Sequence, residues 1–204
     1  MWPPSIYDSL SFVLPGGTVL FTTVYGWNGW PYSEPGATAA LGILAAAFVI
    51  GHLNAALAVF LEPLVWRHRP GQHVASSWGL FGPGGVYTAA EQDTIQTEMA
   101  AKLERQERFQ VLFDLGYTAL QHAGKDEQLK ILNQQLGFYR NMSAATAVSA
   151  VATCVYALAG RDWLPAAIWT PLYLGATLLF AYRYRRFWRR FADAVIRGVR
   201  TLSN

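Results

Sequence analysis

Charge is missing from two long blocks of this chain, and that absence restricts the fold more than any motif does. Between Ser9 and Leu61 the only Asp, Glu, Lys or Arg is Glu34, and from Ala144 to Tyr182 the only such residues are the neighbours Arg161 and Asp162. A water-soluble fold has no reason to clear charge from such stretches, whereas the hydrocarbon core of a bilayer demands it. Charged residues make up 14% of the 204 residues, against roughly 25% in an ordinary soluble domain, so the remaining segments carry nearly all of them.

The predicted fold is an all-α integral membrane protein with four transmembrane helices, a cytoplasmic helical hairpin between spans two and three, and a C-terminal basic amphipathic helix. Spans one and two occupy 1–66, the connector and hairpin 67–141, spans three and four 142–184, and the basic tail 185–204. Span one, from Ser9 to Trp27, contains Pro15, Gly16 and Gly17. They predict a helix break or kink, because proline removes a backbone donor. Trp27, Trp30 and Tyr32 follow at the expected headgroup level. Span two, Ala37 to Trp66, ends on the basic cluster Arg67, His68 and Arg69. Spans three (Met142 to Ala159) and four (Trp163 to Tyr182) are separated only by Gly160, Arg161 and Asp162 and form a tight antiparallel pair.

Within the hairpin, Thr88 and Glu91 fit a capping box. The helix they start carries Ile95, Met99 and Leu103 on one stripe and continues to Gln121, with a bend near Gly116. Glu104 and Arg108 sit at the spacing of a favourable helical ion pair. Gly124 then punctuates the chain, and Asp126 caps a second helix bearing Leu129, Leu132, Leu136 and Tyr139.

Basic residues set the expected orientation. Of the sixteen Lys and Arg, eight lie in 67–140 and seven between Arg183 and Arg200, leaving Arg161 alone outside. The positive-inside rule places both segments, and with four spans both termini, in the cytoplasm of what is expected to be a bacterial inner membrane. Met1 to Leu10 has no Lys or Arg, so no cleavable signal is expected. The single cysteine, Cys154, excludes an intrachain disulfide framework.

Three groups of residues are candidates for function. His52 and Asn54 form a polar pair near the middle of span two. An ionisable group at that depth either hydrogen-bonds a neighbouring helix or lines a water-filled path. Ala47, Gly51 and Ala55 form a small-residue row that permits close helix packing, within one chain or between copies. Arg183, Arg185, Arg186, Arg189 and Arg190 alternate with Tyr182, Tyr184, Phe187, Trp188 and Phe191, and Phe187, Phe191, Val195 and Val199 make a four-residue stripe. This pattern suits anionic lipid headgroups better than nucleic acid, although arginine beside aromatics also suits base stacking.

Other patterns carry less. Glu62, His68 and His73 straddle Pro63 and Pro70 and match no metal-site spacing. Gly82-Pro83-Gly84-Gly85 lacks the Gly-Lys-Ser/Thr ending of a phosphate loop. Asn141-Met142-Ser143 matches a glycosylation acceptor, but on the cytoplasmic face the match is empty. No nucleophile elbow, metalloprotease helix or acidic metal-holding cluster is present, which argues against an enzyme, and no cofactor is implied.

The expected function is therefore a homo-oligomeric membrane module: a pore-forming or membrane-perturbing effector, or a gated sensor, of the kind a stress or anti-phage response would use. The alternatives are a non-conducting anchor that recruits a cytoplasmic protein through 87–140, and a membrane enzyme with an unfamiliar site.

Overall fold

The computed structural model describes residues 6–25, 36–66, 80, 86–159 and 163–202. They form α1 (Ile6–Leu20), which passes into a π-helical turn (Phe21–Tyr25), then α2 (Ala37–Trp66), α3 (Ala89–Leu103), α4 (Phe109–His122), α5 (Glu127–Leu158) and α6 (Trp163–Arg200). The described residues are almost entirely helical.

Among the described residues, three helices are long and apolar enough to cross a membrane: α2 over Ala37–Phe60, α5 and α6. They give the chain the make-up of an integral membrane protein. Among the described residues, the expected first span is not confirmed as one. Its apolar part, Ser9–Val24, is under 18 residues, which is less than about 27 Å of helix at 1.5 Å per residue, against a hydrocarbon core of about 30 Å.

The chain divides into two compact units, one comprising Met1–Val65 with Gly137–Tyr184, the other Trp66–Leu136 with Arg185–Asn204. In the first unit, polarity is turned outside in. Phe60 is 78% exposed and Leu178 72%, while Asn54, Asn141, Thr146 and Ser149 are buried. Lipid tails are as apolar as leucine, so a bilayer-embedded bundle loses nothing by exposing leucine and needs protein partners for its amides and hydroxyls.

The second unit has the opposite, water-soluble distribution. Its core holds Leu80, Ile95, Met99, Leu112, Leu120 and Leu129, with Phe191, Val195, Ile196 and Val199 from the end of α6, all buried. The capping box forms as the sequence predicts: Thr88 N–H donates to Glu91 Oε2 at 2.6 Å, and Glu91 N–H to Thr88 Oγ1 at 3.3 Å.

Three expectations about this region are corrected. The helix expected to reach Gln121 stops at Leu103, where Glu104 turns left-handed (φ 51°) and its N–H reaches the carbonyls of Ala100 and Ala101. Residues 105–108 are not helical, so the predicted Glu104–Arg108 helical pair does not exist. A Cβ on Gly116 would meet Val199 Cγ2 at 2.6 Å, so this glycine admits α6. The basic tail is not a separate helix but the continuation of α6; α5 begins at Glu127, after Asp126, and runs on into the expected third span, as the sequence suggests.

Candidate functional site

Proline at position 15 lacks the N–H that an unbroken helix would give to the carbonyl of Ser11. Asn141 of α5 supplies a donor: its Nδ2 reaches the Ser11 carbonyl at 3.2 Å. The main-chain carbonyl of Asn141 in turn accepts Asn54 Nδ2 at 2.8 Å. Two buried amides thus join α1, α2 and α5. The predicted break at Pro15, Gly16 and Gly17 is not seen; α1 runs through all three, and the backbone widens only at Phe21–Tyr25.

The small-residue row on α2 packs against α1 of the same chain. A Cβ on Gly16 would lie 1.8 Å from the Ala47 carbonyl oxygen, and one on Gly51 would lie 2.0 Å from the Phe12 carbonyl oxygen. Backbone therefore meets backbone at Gly16, Ala47 and Gly51. Ala55, one turn on, is half-buried.

His52 and Asn54, paired in the sequence, part company in the structure. Asn54 points inward. His52 is exposed, with its ring stacked on Phe12 (centroids 4.0 Å apart, planes 14°) and set edge-on to Phe48 (4.6 Å, 76°). Among the described residues it makes ring contacts and no hydrogen bond, unlike the helix-bridging histidine the sequence allowed.

A seam of hydroxyls, not singled out from the sequence, completes the interior of this unit. Thr177 Oγ1 donates to Thr146 Oγ1 at 2.9 Å, and Ser143 Oγ to the Thr177 carbonyl at 3.3 Å. Thr153 and Thr170 share a hydrogen bond of 2.8 Å, as do Thr22 and the Tyr173 hydroxyl. The signal was legible: Ser143, Thr146, Ser149 and Thr153 recur every three or four residues along one face of α5. Asn141 and Ser143 are buried inside α5, so the glycosylation-like triplet is not on a loop.

Along α6, Arg183, Arg185, Arg186 and Arg190 are exposed and Arg189 is half-buried. The Arg190 guanidinium lies over the Phe187 ring, 5.5 Å from its centroid. The apolar stripe does not face outward for lipid. Phe191 packs edge-on to Tyr117 (5.5 Å) and Phe113 (6.3 Å) of α4, and Val195 and Val199 are fully buried. Compared with known families, curated proteins and solved structures, the chain matches none of them. Its chemistry must be read from its own geometry.

The end of α6 is strongly held. Asp193 accepts the Tyr87 hydroxyl at 2.5 Å and pairs with Arg197 at 2.7 Å. Burial, and then the neighbouring Asp193 carboxylate, push the Tyr87 pKa above its ordinary value of 10.0. Arg200 reaches Glu98 at 2.6 Å, while Lys102 and Lys125 donate to the carbonyls of Leu202 (2.9 Å) and Thr201 (3.0 Å). Cations at a helix C-terminus satisfy carbonyls that have no helical donor and complement the dipole.

No group of three or more potential metal ligands occurs among the described residues. The Glu62 side chain, His68, His73, the Gly82–Gly85 run, Trp27, Trp30, Tyr32 and Arg161 lie outside the described residues.

Proposed function

We propose that this chain is a signal-gated membrane effector, in which the second unit receives a signal and the first perturbs or opens the membrane as a homo-oligomer. One observation carries the reading: α5 and α6 are each a single unbroken helix that belongs to both units. A ligand or partner of the second unit would therefore bind to parts of the same two helices whose apolar lengths are able to cross a bilayer. The proposed topology has four passes, with both termini and the second unit in the cytoplasm of a bacterial cell. Support comes from the fifteen Lys and Arg in 67–140 and 183–200, against Arg161 alone elsewhere. In this arrangement α1, short as it is, crosses by virtue of its contact with α2. The arginines of 183–190 lie where α6 leaves the membrane, beside anionic headgroups.

Purified protein in liposomes tests the reading. Wild-type protein is expected to dissipate an ion gradient or release a trapped dye, and a C-terminal reporter is expected to be cytoplasmic in cells.

A second reading, a non-conducting anchor that recruits a soluble protein through 87–140, has its own support. The interior amide N–H groups and the hydroxyls of Ser143, Thr146, Thr153 and Thr177 bond within one chain. That leaves only Asn54 Oδ1, Asn141 Oδ1 and Ser149 Oγ of these interior groups without a hydrogen bond among the described residues, a small polar lining for a single copy. Intact gradients, together with a protein retained specifically by 87–140, would favour the anchor.

A further inference from the structure

We propose that a groove in the second unit, between the start of α5 and the last turns of α6, binds a small organic phosphate. The cavity is about 580 Å³ and is lined by Lys125, Gln128 and Leu129 and by Arg190, Asp193 and Arg197. That volume falls within the roughly 300–1,000 Å³ typical of small-molecule sites.

The charge in the groove is unbalanced toward cations. Asp193 is the sole carboxylate in the lining, and it is already committed to Arg197 and to the Tyr87 hydroxyl. Lys125 donates only to a neutral carbonyl, and Arg190 lies over a neutral ring. Neither has a carboxylate partner among the described residues. Two uncompensated cations in one lining suit a dianion, and guanidinium matches phosphate oxygens in a bidentate manner. Leu129, Leu132 and Ala194 add an apolar floor for the carbon part of the ligand. Arg190 is thus distinguished from Arg183, Arg185 and Arg186, which do not line the groove.

The phosphate has two possible sources, a soluble phosphate ester or the headgroup of an anionic phospholipid. Binding rests on the groove alone; its meaning as the gating signal rests on the effector reading above. Protein that binds but conducts nothing keeps the groove and loses the effector.

The test is calorimetric titration of inorganic pyrophosphate into the full chain in phosphatidylcholine nanodiscs. Wild type is expected to bind with a Kd below about 1 mM, and the Lys125→Met/Arg190→Met variant at least about 10-fold more weakly. Arg185→Met, which removes a cation of the same helix outside the groove, should bind as wild type does. Thermal melts by circular dichroism confirm that both variants are folded. A repeat with about 30 mol% phosphatidylglycerol separates the sources. Competition with pyrophosphate in wild type, absent from the groove variant, identifies the lipid headgroup; unchanged binding identifies a soluble ester. No pyrophosphate binding, or equal weakening by Arg185→Met, overturns the proposal.

Discussion

Asn141 stands in for the amide hydrogen that Pro15 lacks: its Nδ2 donates to the Ser11 carbonyl, one turn before the proline. Such compensation explains how α1 passes through Pro15-Gly16-Gly17 without breaking, since a carbonyl that loses its helical donor in an apolar setting needs another.

That relationship predicts a coupling. Asn141→Leu should destabilise the protein in detergent by about 1–3 kcal/mol, the cost of unsatisfied buried polar groups. In a Pro15→Ala background, which restores the helical N–H, the same substitution should cost measurably less. Equal costs in the two backgrounds of a double-mutant cycle would break the link.

The α1–α2 crossing leaves no room for a side chain at Gly51. Gly51→Ala is expected to lower stability by about 1–3 kcal/mol through overpacking. Gly42→Ala, on the same helix where a Cβ meets nothing within 4 Å, should be neutral or stabilise by up to about 1 kcal/mol. Denaturant melts of the two variants read the difference. Similar losses in both would mean that helix propensity, not the close contact, governs this face.

Glu104 occupies a left-handed conformation that costs a non-glycine residue about 1–2 kcal/mol. Glu104→Gly relieves that strain at the expense of a more flexible unfolded chain, so a modest net gain in melting temperature is expected. Gly124, at φ 67°, is the mirror case: Gly124→Ala should destabilise by about 1 kcal/mol. A loss on Glu104→Gly would show that the glutamate side chain itself contributes at this turn.

Tyr87 predicts an alkaline limit. Its pKa is raised in the folded protein, first by burial and then by Asp193, so folding favours the neutral phenol. The contribution is fully present below the unfolded value of about 10 and is lost as pH rises through the higher folded value. Tyr87→Phe should cost about 1 kcal/mol at neutral pH, a figure kept low because the site is partly open to solvent. The variant's stability should fall less steeply than that of wild type above pH 10. Parallel alkaline profiles would contradict this.

Much of the fold was legible without coordinates where the physics is one-dimensional. The charge-free runs in α2, α5 and α6 marked the helices that can cross a membrane, and the Thr88–Glu91 box marked the start of α3 to the residue. The end of α3 was not legible. The usual stop signal is a glycine, and here Glu104 adopts the left-handed turn against its own preference. Gly116, which the sequence marks only as a bend, leaves room for the close approach of Val199.

The candidate site was harder, because spacing shows that a face is apolar or small but not what covers it. Lipid and protein are equally good partners for Phe191, Val195 and Val199, and only the packing of α4 against them decided for protein. Likewise, Ala47 and Gly51 allowed a close neighbour of any origin, and the tertiary structure assigned α1 of the same chain. His52 and Asn54, two residues apart, looked like one feature until the helix turned one outward onto Phe12 and the other inward onto Asn141. The sequence by itself determined which segments avoid water and where basic charge collects, since both follow from transfer free energies counted along the chain. The tertiary structure decided which polar and apolar groups meet, because those contacts join residues up to 151 positions apart, beyond the reach of any local pattern.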